Sequence, residues 1–229
     1  MEINLSLLTA AALTNGLNPC GIGMMITFLG YLIVFGRRGK EKNFVLKTGL
    51  VYIGAVFVTY LLTGLLFYGL AYYIQRWWLA SVFKYIVGGV LIIAGVIQLK
   101  DVCLSNLPIH LRMSMKGFEK LTKLMAKTNY GVTVLIGFLT TVFSTPCMLP
   151  LYIGTTAVIA RSGLEMTKVL GYFFYYNLIF ILPLIVVLLV MIGGRQVVEM
   201  KEWEHKNTKW MRFVMGVVLI AVGIWIALN

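Results

Sequence analysis

Two cysteines of the chain each follow a proline directly, inside a long run of apolar residues. The two segments read Asn18-Pro19-Cys20-Gly21 and Thr145-Pro146-Cys147-Met148. A proline removes one backbone donor and frees an acceptor one turn earlier, so we expect each segment to interrupt a helix. The positive end of a helix that starts at the cysteine favours the thiolate, which is the species that attacks disulfides. The pattern therefore predicts thiol–disulfide exchange at Cys20 and Cys147.

The residues around these two thiols supply helix caps and places to bend. They are polar, rigid or small, and we assign them as motif and hinge residues: Asn18, Pro19, Gly21, Gly23, Thr145, Pro146 and Pro150. The third cysteine, Cys103, follows no proline and has no counterpart in the other half of the chain. Because three cysteines form at most one intramolecular bridge, we interpret Cys103 as an incidental thiol.

The composition places these residues in a membrane. The chain is 60% hydrophobic and 12% charged, with a mean hydropathy of +0.89. Those values are typical of a polytopic helical membrane protein and exclude an ordinary soluble domain. The net charge of +12 is compatible with nucleic-acid binding, but the basic residues fall between the apolar runs, which is how membrane topology is encoded. We therefore expect the lipid bilayer, and no nucleic acid, as a partner.

The expected fold is an all-α integral membrane protein with six transmembrane helices. A helix needs about 20 apolar residues to cross the hydrocarbon core. Six runs are long enough, and they lie near 5–35, 47–73, 82–99, 130–160, 168–192 and 211–228. The first and fourth runs are longer than one span requires and contain the Pro-Cys segments. We therefore predict that the first and fourth helices are broken and that the breaks face the protein interior.

The basic residues indicate the orientation. Sixteen lysines and arginines lie in or near the loops that follow the first, third and fifth runs, and the opposite side has only Arg76, Lys84, Arg161 and Lys168. The positive-inside rule places the sixteen in the cytoplasm. We expect a multi-pass protein of the cell (plasma) membrane with both termini extracytoplasmic. Glu2 precedes the first apolar run without a basic residue, so we expect no secretory signal.

The two halves of the chain resemble each other. Residues 83–95 align with 211–223 at an offset of 128 residues, and the Pro-Cys pairs are 127 residues apart. Each copy has three spans, and because this number is odd, the second copy is inverted in the membrane relative to the first. Inverted repeats are found in alternating-access transporters. We predict a first three-helix repeat at 1–99, a cytoplasmic loop at 100–129 and a second repeat at 130–229. Within that loop, the spacing of Leu111, Met115 and Phe118 would place them on one face of a helix. This pattern predicts an amphipathic helix at the membrane interface.

The second Pro-Cys segment extends to Thr145-Pro146-Cys147-Met148-Leu149-Pro150, which has the form Pro-Cys-x-x-Pro. With six apolar runs and a Pro-Cys pair in each half, the whole chain resembles the CcdA/DsbD-type membrane electron transporters. The first segment departs from that form, because Gly21-Ile22-Gly23-Met24 follows Cys20 and no second proline is present.

The resemblance implies a membrane thiol–disulfide oxidoreductase whose redox pair is a Cys20–Cys147 disulfide. A cytoplasmic thioredoxin would donate electrons, and an extracytoplasmic thioredoxin-like protein would accept them for cytochrome c maturation or disulfide reduction. Access to the pair would alternate between the two faces of the membrane. No bound cofactor is expected, because a dithiol itself stores two electrons. No metal is expected either, since the sequence contains no cluster of metal-ligating residues.

Two other interpretations of the cysteines remain open. Two facing thiolates suit a soft cation such as Cu(I), so the alternative function is a soft-cation transporter that uses the same residues. Met24, Met25 and Met148 beside the cysteines favour that alternative. In the third interpretation the chain is a structural membrane subunit, and its cysteines are inert packing residues.

Overall fold

The computed structural model describes residues 5–35, 41–76, 80–103, 129–161, 165–193 and 197–228. Within these ranges, the side chains of 71–76, 80–84, 103, 145–147, 149, 157–158 and 160–161 lie outside the description. The predicted amphipathic helix of the 100–129 loop falls almost entirely outside the described residues and stays a prediction.

The described residues are organised as seven α-helices. In chain order they are α1 (Leu5–Gly16), α2 (Pro19–Phe35), α3 (Lys42–Arg76), α4 (Ala80–Cys103), α5 (Tyr130–Arg161), α6 (Met166–Ile192) and α7 (Val197–Leu228). The prediction of an all-helical fold is confirmed. Helices are the expected form for these apolar runs, because a helix satisfies its backbone groups internally where water is absent.

Four described helices are long and apolar enough to cross a membrane, and they lie in α3, α4, α6 and α7. The helices α1 and α2 pass the same test together as one span that is bent by 44°. The described residues thus provide up to five candidate spans, and the chain is a multi-pass membrane protein. The remaining predicted span is the fourth run, within α5. Its apolar part, Tyr130–Ser144, is shorter than the length required of a candidate span. The six-span count stays a prediction.

The two predicted helix breaks have different outcomes. The first run is interrupted between Gly16 and Pro19, as predicted. The break predicted at Pro146 is wrong, because α5 continues from Tyr130 to Arg161 as one helix. A proline inside a helix costs one backbone hydrogen bond, and a membrane helix tolerates that loss when neighbouring helices surround it.

The helices α4 and α7 form the most extensive contact of the bundle and run antiparallel along a seam of glycines. A Cβ added to Gly95 would lie 2.9 Å from the carbonyl oxygen of Gly216, and one added to Gly88 would lie 2.9 Å from that of Gly223. The two backbones therefore approach each other as closely as small residues allow, which is a common way to join membrane helices.

The interior of the bundle is rich in aromatic side chains. Tyr52 of α3 stacks on Phe28 of α2 with ring centroids 5.0 Å apart, and Tyr152 of α5 contacts Tyr60, Phe173 and Tyr176. Leucines and valines on the outer faces are exposed, as is expected where lipid replaces water. The core therefore holds α2, α3, α5 and α6 together around the break in the first span.

Candidate functional site

The break between α1 and α2 is formed by Asn18 and Pro19. The Oδ1 atom of Asn18 accepts a hydrogen bond of 2.8 Å from the backbone N–H of Cys20. This is an N-cap, and Pro19 occupies the first helical position, where its missing N–H is not needed. Asn18 is buried, and its Nδ2 contacts the sulfur of Met215 at 3.6 Å. The sequence Asn-Pro-Cys is therefore a helix start in the interior of the bundle.

The break packs against a proline-containing turn of α6. A Cβ added to Gly16 would lie 2.5 Å from the carbonyl oxygen of Phe180 and 3.1 Å from Cγ of Pro183. Pro183 lies within α6 and removes a backbone donor there. Glycine is needed at residue 16, because any larger residue would push the end of α1 away from α6.

A small cavity lies beside the break. It is large enough for one water molecule. Its polar lining consists of hydroxyl side chains from α3 and α5: Tyr52, Tyr60, Thr140, Thr141 and Ser144. The rest of the lining is small or apolar, and Gly16 and Gly21 contribute from the two sides of the break.

Uncharged polar side chains surround the same region. Asn15 donates from Nδ2 to the hydroxyl of Tyr176 at 3.2 Å, and Asn177 donates from Nδ2 to the hydroxyl of Tyr152 at 3.4 Å. Tyr152 in turn donates to the carbonyl oxygen of Tyr60 at 2.7 Å. The Oδ1 atoms of Asn15 and Asn177 are buried, and neither has a hydrogen-bond partner among the described residues. We call Asn15, Tyr152, Tyr176 and Asn177 the polar belt.

Two acceptors of the polar belt are thus available to a donor. Both asparagines are fully buried, and leaving such an acceptor unpaired costs about 1–3 kcal/mol. A hydroxyl group or a water molecule that entered the interior would recover that energy. The polar belt was not predicted from the sequence, although a buried asparagine in an apolar run is a visible signal.

The sequence-predicted residues of the first segment cluster at the break but make different contacts. The side chain of Cys20 is half-buried and packed against the hydrophobic core. A Cβ on Gly21 would lie 2.8 Å from the methyl group of Met148. Gly23 contacts α7 instead, because its carbonyl oxygen accepts from Nζ of Lys201 at 3.3 Å and its Cα faces Glu204. A hinge role for these glycines stays a prediction.

The second segment is described only in part. Pro150 is buried within α5, and the backbone of 145–147 is helical. The side chains of Thr145, Pro146 and Cys147 lie outside the described residues, as does that of Cys103.

A buried ionic cluster at the end of the α4–α7 seam was not predicted. Nη1 of Arg212 lies 3.1 Å from Oδ2 of Asp101, and Nζ of Lys100 lies 3.1 Å from Oδ1 of the same carboxylate. The side chain of Asp101 is fully buried, and that of Arg212 is 11% exposed. We call Lys100, Asp101 and Arg212 the ionic cluster. Its sequence signal is an acidic residue at the end of an apolar run.

The comparison with protein families identifies the chain's relatives. A family model described as SfLAP, Sap, sulfolipid-1-addressing protein, matches residues 8–229. The chain belongs to the SfLAP family. No curated protein and no solved structure matches the chain.

Membership in the SfLAP family overturns the resemblance to the CcdA/DsbD-type transporters. The predicted thiol–disulfide electron transport is therefore wrong, and so is its alternative, soft-cation transport by the same cysteines. The first Pro-Cys segment does not by itself indicate redox chemistry, because the order Asn18-Pro19-Cys20 is a capped helix start. Such a start needs the asparagine and the proline, and it does not need the thiol.

Other expectations for this SfLAP protein depended on the electron-transfer assignment. The thioredoxin donor and the thioredoxin-like acceptor followed from the resemblance alone, and they lose their basis with it. The Cys20–Cys147 disulfide also followed from the matching positions of the two cysteines in the repeat, and it stays a prediction. The membrane assignment does not depend on the resemblance, because it came from composition and apolar run length.

Proposed function

We propose that this chain is a membrane transport protein that moves an anionic amphiphile of the sulfolipid class across the bilayer. The family description names a protein that addresses sulfolipid-1, and we extend that lipid class to this chain. A sulfolipid combines acyl chains with an anionic, hydroxyl-rich headgroup. Such a molecule crosses a bilayer slowly without help, because its headgroup must leave water.

The observation that carries the proposal is the interruption of the first span inside the bundle. The helices α1 and α2 meet at 44° beside the hydroxyl-lined cavity. Broken helices of this kind mark substrate sites in many transporters, because the break places free backbone groups and a flexible joint in the membrane interior. Gly16, at the end of α1, packs directly against the Pro183 turn of α6 at this joint.

The polar belt supports the proposal that the headgroup crossing the interior of the bundle carries hydroxyl groups. Its unpaired acceptors, Oδ1 of Asn15 and Oδ1 of Asn177, match hydroxyl donors. The described residues that line the cavity have hydroxyl or apolar side chains, and none of them is charged. A single-ion carrier commonly has charged groups along its path, whereas an amphiphile needs neutral hydrogen-bonding groups beside apolar surface.

We propose further that the chain has six spans arranged as an inverted repeat. The glycine seam supports this arrangement. At the offset of 128 residues, Gly88 corresponds to Gly216 and Gly95 to Gly223. Exchanging the two halves therefore converts the contact between Gly88 and Gly223 into the contact between Gly216 and Gly95, and both contacts are present. The fourth apolar run, which lies within α5, would then cross the membrane as well and bring the number of spans from five to six.

The proposed orientation places the sixteen basic residues in the cytoplasm and both termini outside. The protein then lies in the cell membrane and collects its lipid at the cytoplasmic leaflet. Delivery would be to the outer leaflet, since an amphiphile made inside the cell must be presented outside.

The test is to delete the gene in the cell that carries it and to measure which anionic lipids reach the outer leaflet. We expect the deletion to lower the surface fraction of one sulfated or similarly anionic lipid while its total amount remains. The wild-type gene and Gly54→Val should restore it, because nothing lies within 4 Å of a Cβ on Gly54. Gly16→Val should not. An unchanged surface lipid composition in the deletion would refute the proposal.

A further inference from the structure

The N-terminal half of α7 carries an exposed stripe of aromatic and basic side chains. Residues three, four and seven apart lie on the same face of a helix. One face of α7 holds Trp203, Lys206, Lys209, Trp210 and Phe213, which we call the α7 stripe. All five side chains are exposed, and Trp210 is the most exposed of the three aromatic ones. Exposed tryptophans next to lysines are typical of a helix surface that meets the membrane interface.

The α7 stripe lies where hydrocarbon gives way to headgroups. Toward the C-terminus, the same face of α7 continues with Val217 and Ile224, which are exposed and apolar, as expected of residues in contact with lipid tails. From Trp210 to Trp203 the helix extends about 10 Å, and a headgroup layer is about 5–8 Å thick. The two tryptophans therefore bracket that layer, and Lys206 between them lies at the level of the anionic groups of lipids.

The charges on this face of α7 are separated by sign. Glu199 and Glu202 lie farther from the apolar run, whereas Lys206 and Lys209 lie next to it. Neither of these two lysines forms an ion pair with a described residue. A lysine at this depth extends its long side chain so that the ammonium group reaches the headgroups. The face is therefore positive at the level of the headgroups, and an anion is the ligand that it attracts.

An open cavity of about 630 Å³ adjoins the α7 stripe at Lys206. The described part of its lining consists of Lys201, Glu202, Glu204, His205 and Lys206, and we call it the α7 cavity. Sites for small molecules commonly have volumes of about 300–1,000 Å³. A headgroup with several hydroxyl groups is therefore matched in size by a cavity that is already open in this structure.

The inner side of the α7 cavity lies against α2, the helix that begins at the break. Lys201 donates from Nζ to the carbonyl oxygen of Gly23 at 3.3 Å and pairs with Glu204 at 3.2 Å. Gly23 is four residues beyond Pro19, which is about 6 Å along the helix axis. The α7 cavity therefore connects the lipid-facing side of α7 with the neighbourhood of the break.

We propose that the α7 stripe and the α7 cavity together bind the headgroup of a sulfated lipid in the cytoplasmic leaflet. Lys206 and Lys209 contact the sulfate ester, and the hydroxyl-bearing remainder of the headgroup occupies the cavity. The lipid tails lie along Phe213 and Val217. The inference rests on the proposed function for the view that this lipid is the transported one, collected here before it reaches the break.

The experiment measures binding to the full chain in nanodiscs of phosphatidylcholine. The probe is sulfatide, a galactosylceramide with one sulfate ester, that carries a photoreactive diazirine in its acyl chain close to the headgroup. Mass spectrometry measures how much probe is cross-linked to residues 197–213. Unlabelled sulfatide, galactosylceramide, phosphatidylserine and inorganic sulfate are then added as competitors.

Sulfatide should be the most effective of the four competitors. We expect it to displace the probe at a concentration at least about tenfold lower than galactosylceramide does, because galactosylceramide lacks the charge that two lysines attract. Phosphatidylserine has a charge but no sugar for the cavity, and inorganic sulfate has no tails. Both should therefore compete more weakly than sulfatide.

The deciding variants remove the exposed lysines of the stripe. Lys206→Gln and Lys209→Gln should each weaken sulfatide binding about fivefold, and the double variant about twentyfold or more. The matched control is Lys42→Gln/Lys47→Gln, which removes two exposed lysines at the start of α3 and leaves the same net charge as the double variant. We expect this control to bind sulfatide like the wild type.

Four results would overturn the inference. Equal competition by galactosylceramide would show that the sulfate is not recognised, and equal competition by phosphatidylserine would reduce the stripe to a general attachment to anionic lipid. Inorganic sulfate as effective as sulfatide would make it a site for a free oxyanion. An equal loss of binding in the control would assign the effect to the net charge of the protein rather than to the α7 stripe.

Transport is measured separately, as movement of the lipid between leaflets. If the wild type moves sulfatide while the double variant binds it normally, the chain keeps its proposed function and loses this site. If the wild type binds sulfatide at the α7 stripe and moves none, the binding site stands and the proposed function fails.

Discussion

Gly88 of α4 and Gly223 of α7 face each other so closely that neither can accept a side chain. A Cβ on Gly88 would lie 2.9 Å from the carbonyl oxygen of Gly223, and a Cβ on Gly223 would lie 3.0 Å from the carbonyl oxygen of Gly88. Gly95 and Gly216 repeat the relationship at 2.9 and 3.1 Å. The four glycines hold two long helices in one register and place Asp101 opposite Arg212.

The glycine seam predicts that alanine substitutions at two glycines of α4 have very different effects on stability. Gly95→Ala places a methyl group 2.7 Å from Ile220 and 2.9 Å from the backbone of Gly216, so we expect a loss of about 1–3 kcal/mol in stability. Gly89→Ala on the same helix points into open space and should leave stability nearly unchanged. Thermal or denaturant unfolding in detergent measures both. Equal effects of the two substitutions would show that the helices do not pack along this seam.

The buried carboxylate predicts a second stability difference. Asp101→Asn removes the negative charge that Arg212 and Lys100 share and leaves two cations close together, which we expect to cost about 3 kcal/mol. The double variant Asp101→Asn/Arg212→Gln removes one of these cations and should recover part of the loss. A double-mutant cycle with unfolding as the readout isolates the coupling. Additive effects of the two single substitutions would contradict a direct ion pair.

The helix start at Asn18 predicts that the first segment needs its asparagine for stability and does not need its cysteine for transport. Asn18→Ala removes the cap from the N–H of Cys20 and should lower stability by about 1 kcal/mol. Replacing all three cysteines by serine should leave lipid transport in vesicles close to that of the wild type. Loss of transport in the serine variant, with stability retained, would restore a functional role for the thiols.

The orientation is testable with single cysteines in that cysteine-free chain. Glu165 and Lys206 are both exposed; Glu165 directly precedes α6, and Lys206 lies in the basic segment that follows α6. In intact cells, a membrane-impermeant maleimide should label Glu165→Cys and leave Lys206→Cys unlabelled until the cells are opened. The reverse pattern would place the basic loops outside.

Much of the fold was predictable because apolar run length and composition alone decide that a chain forms membrane helices. The same Pro-Cys signal, however, has two structural outcomes. At Pro19 an asparagine caps a new helix, whereas at Pro146 the helix continues through the proline. Local sequence does not separate the two outcomes, since they depend on which neighbouring helices surround the backbone.

The site was less predictable than the fold. The pair of Asp101 and Arg212 joins residues 111 positions apart, and its register follows from the glycine seam rather than from either residue's neighbours. The functional assignment failed for a related reason. A Pro-Cys pair was interpreted as a redox motif, although asparagine and proline before a cysteine also describe a capped helix start.

The most direct test of the proposed function is the movement of a labelled sulfolipid in vesicles that contain only this protein. Vesicles are prepared with fluorescent sulfatide in both leaflets, and a membrane-impermeant reductant bleaches the outer leaflet. With wild-type protein or Gly54→Val, we expect the inner label to become accessible several times faster than in protein-free vesicles. Gly16→Val should fall back toward the protein-free rate. If wild-type vesicles, with the protein folded and inserted, bleach no faster than protein-free ones, the chain does not move this class of lipid.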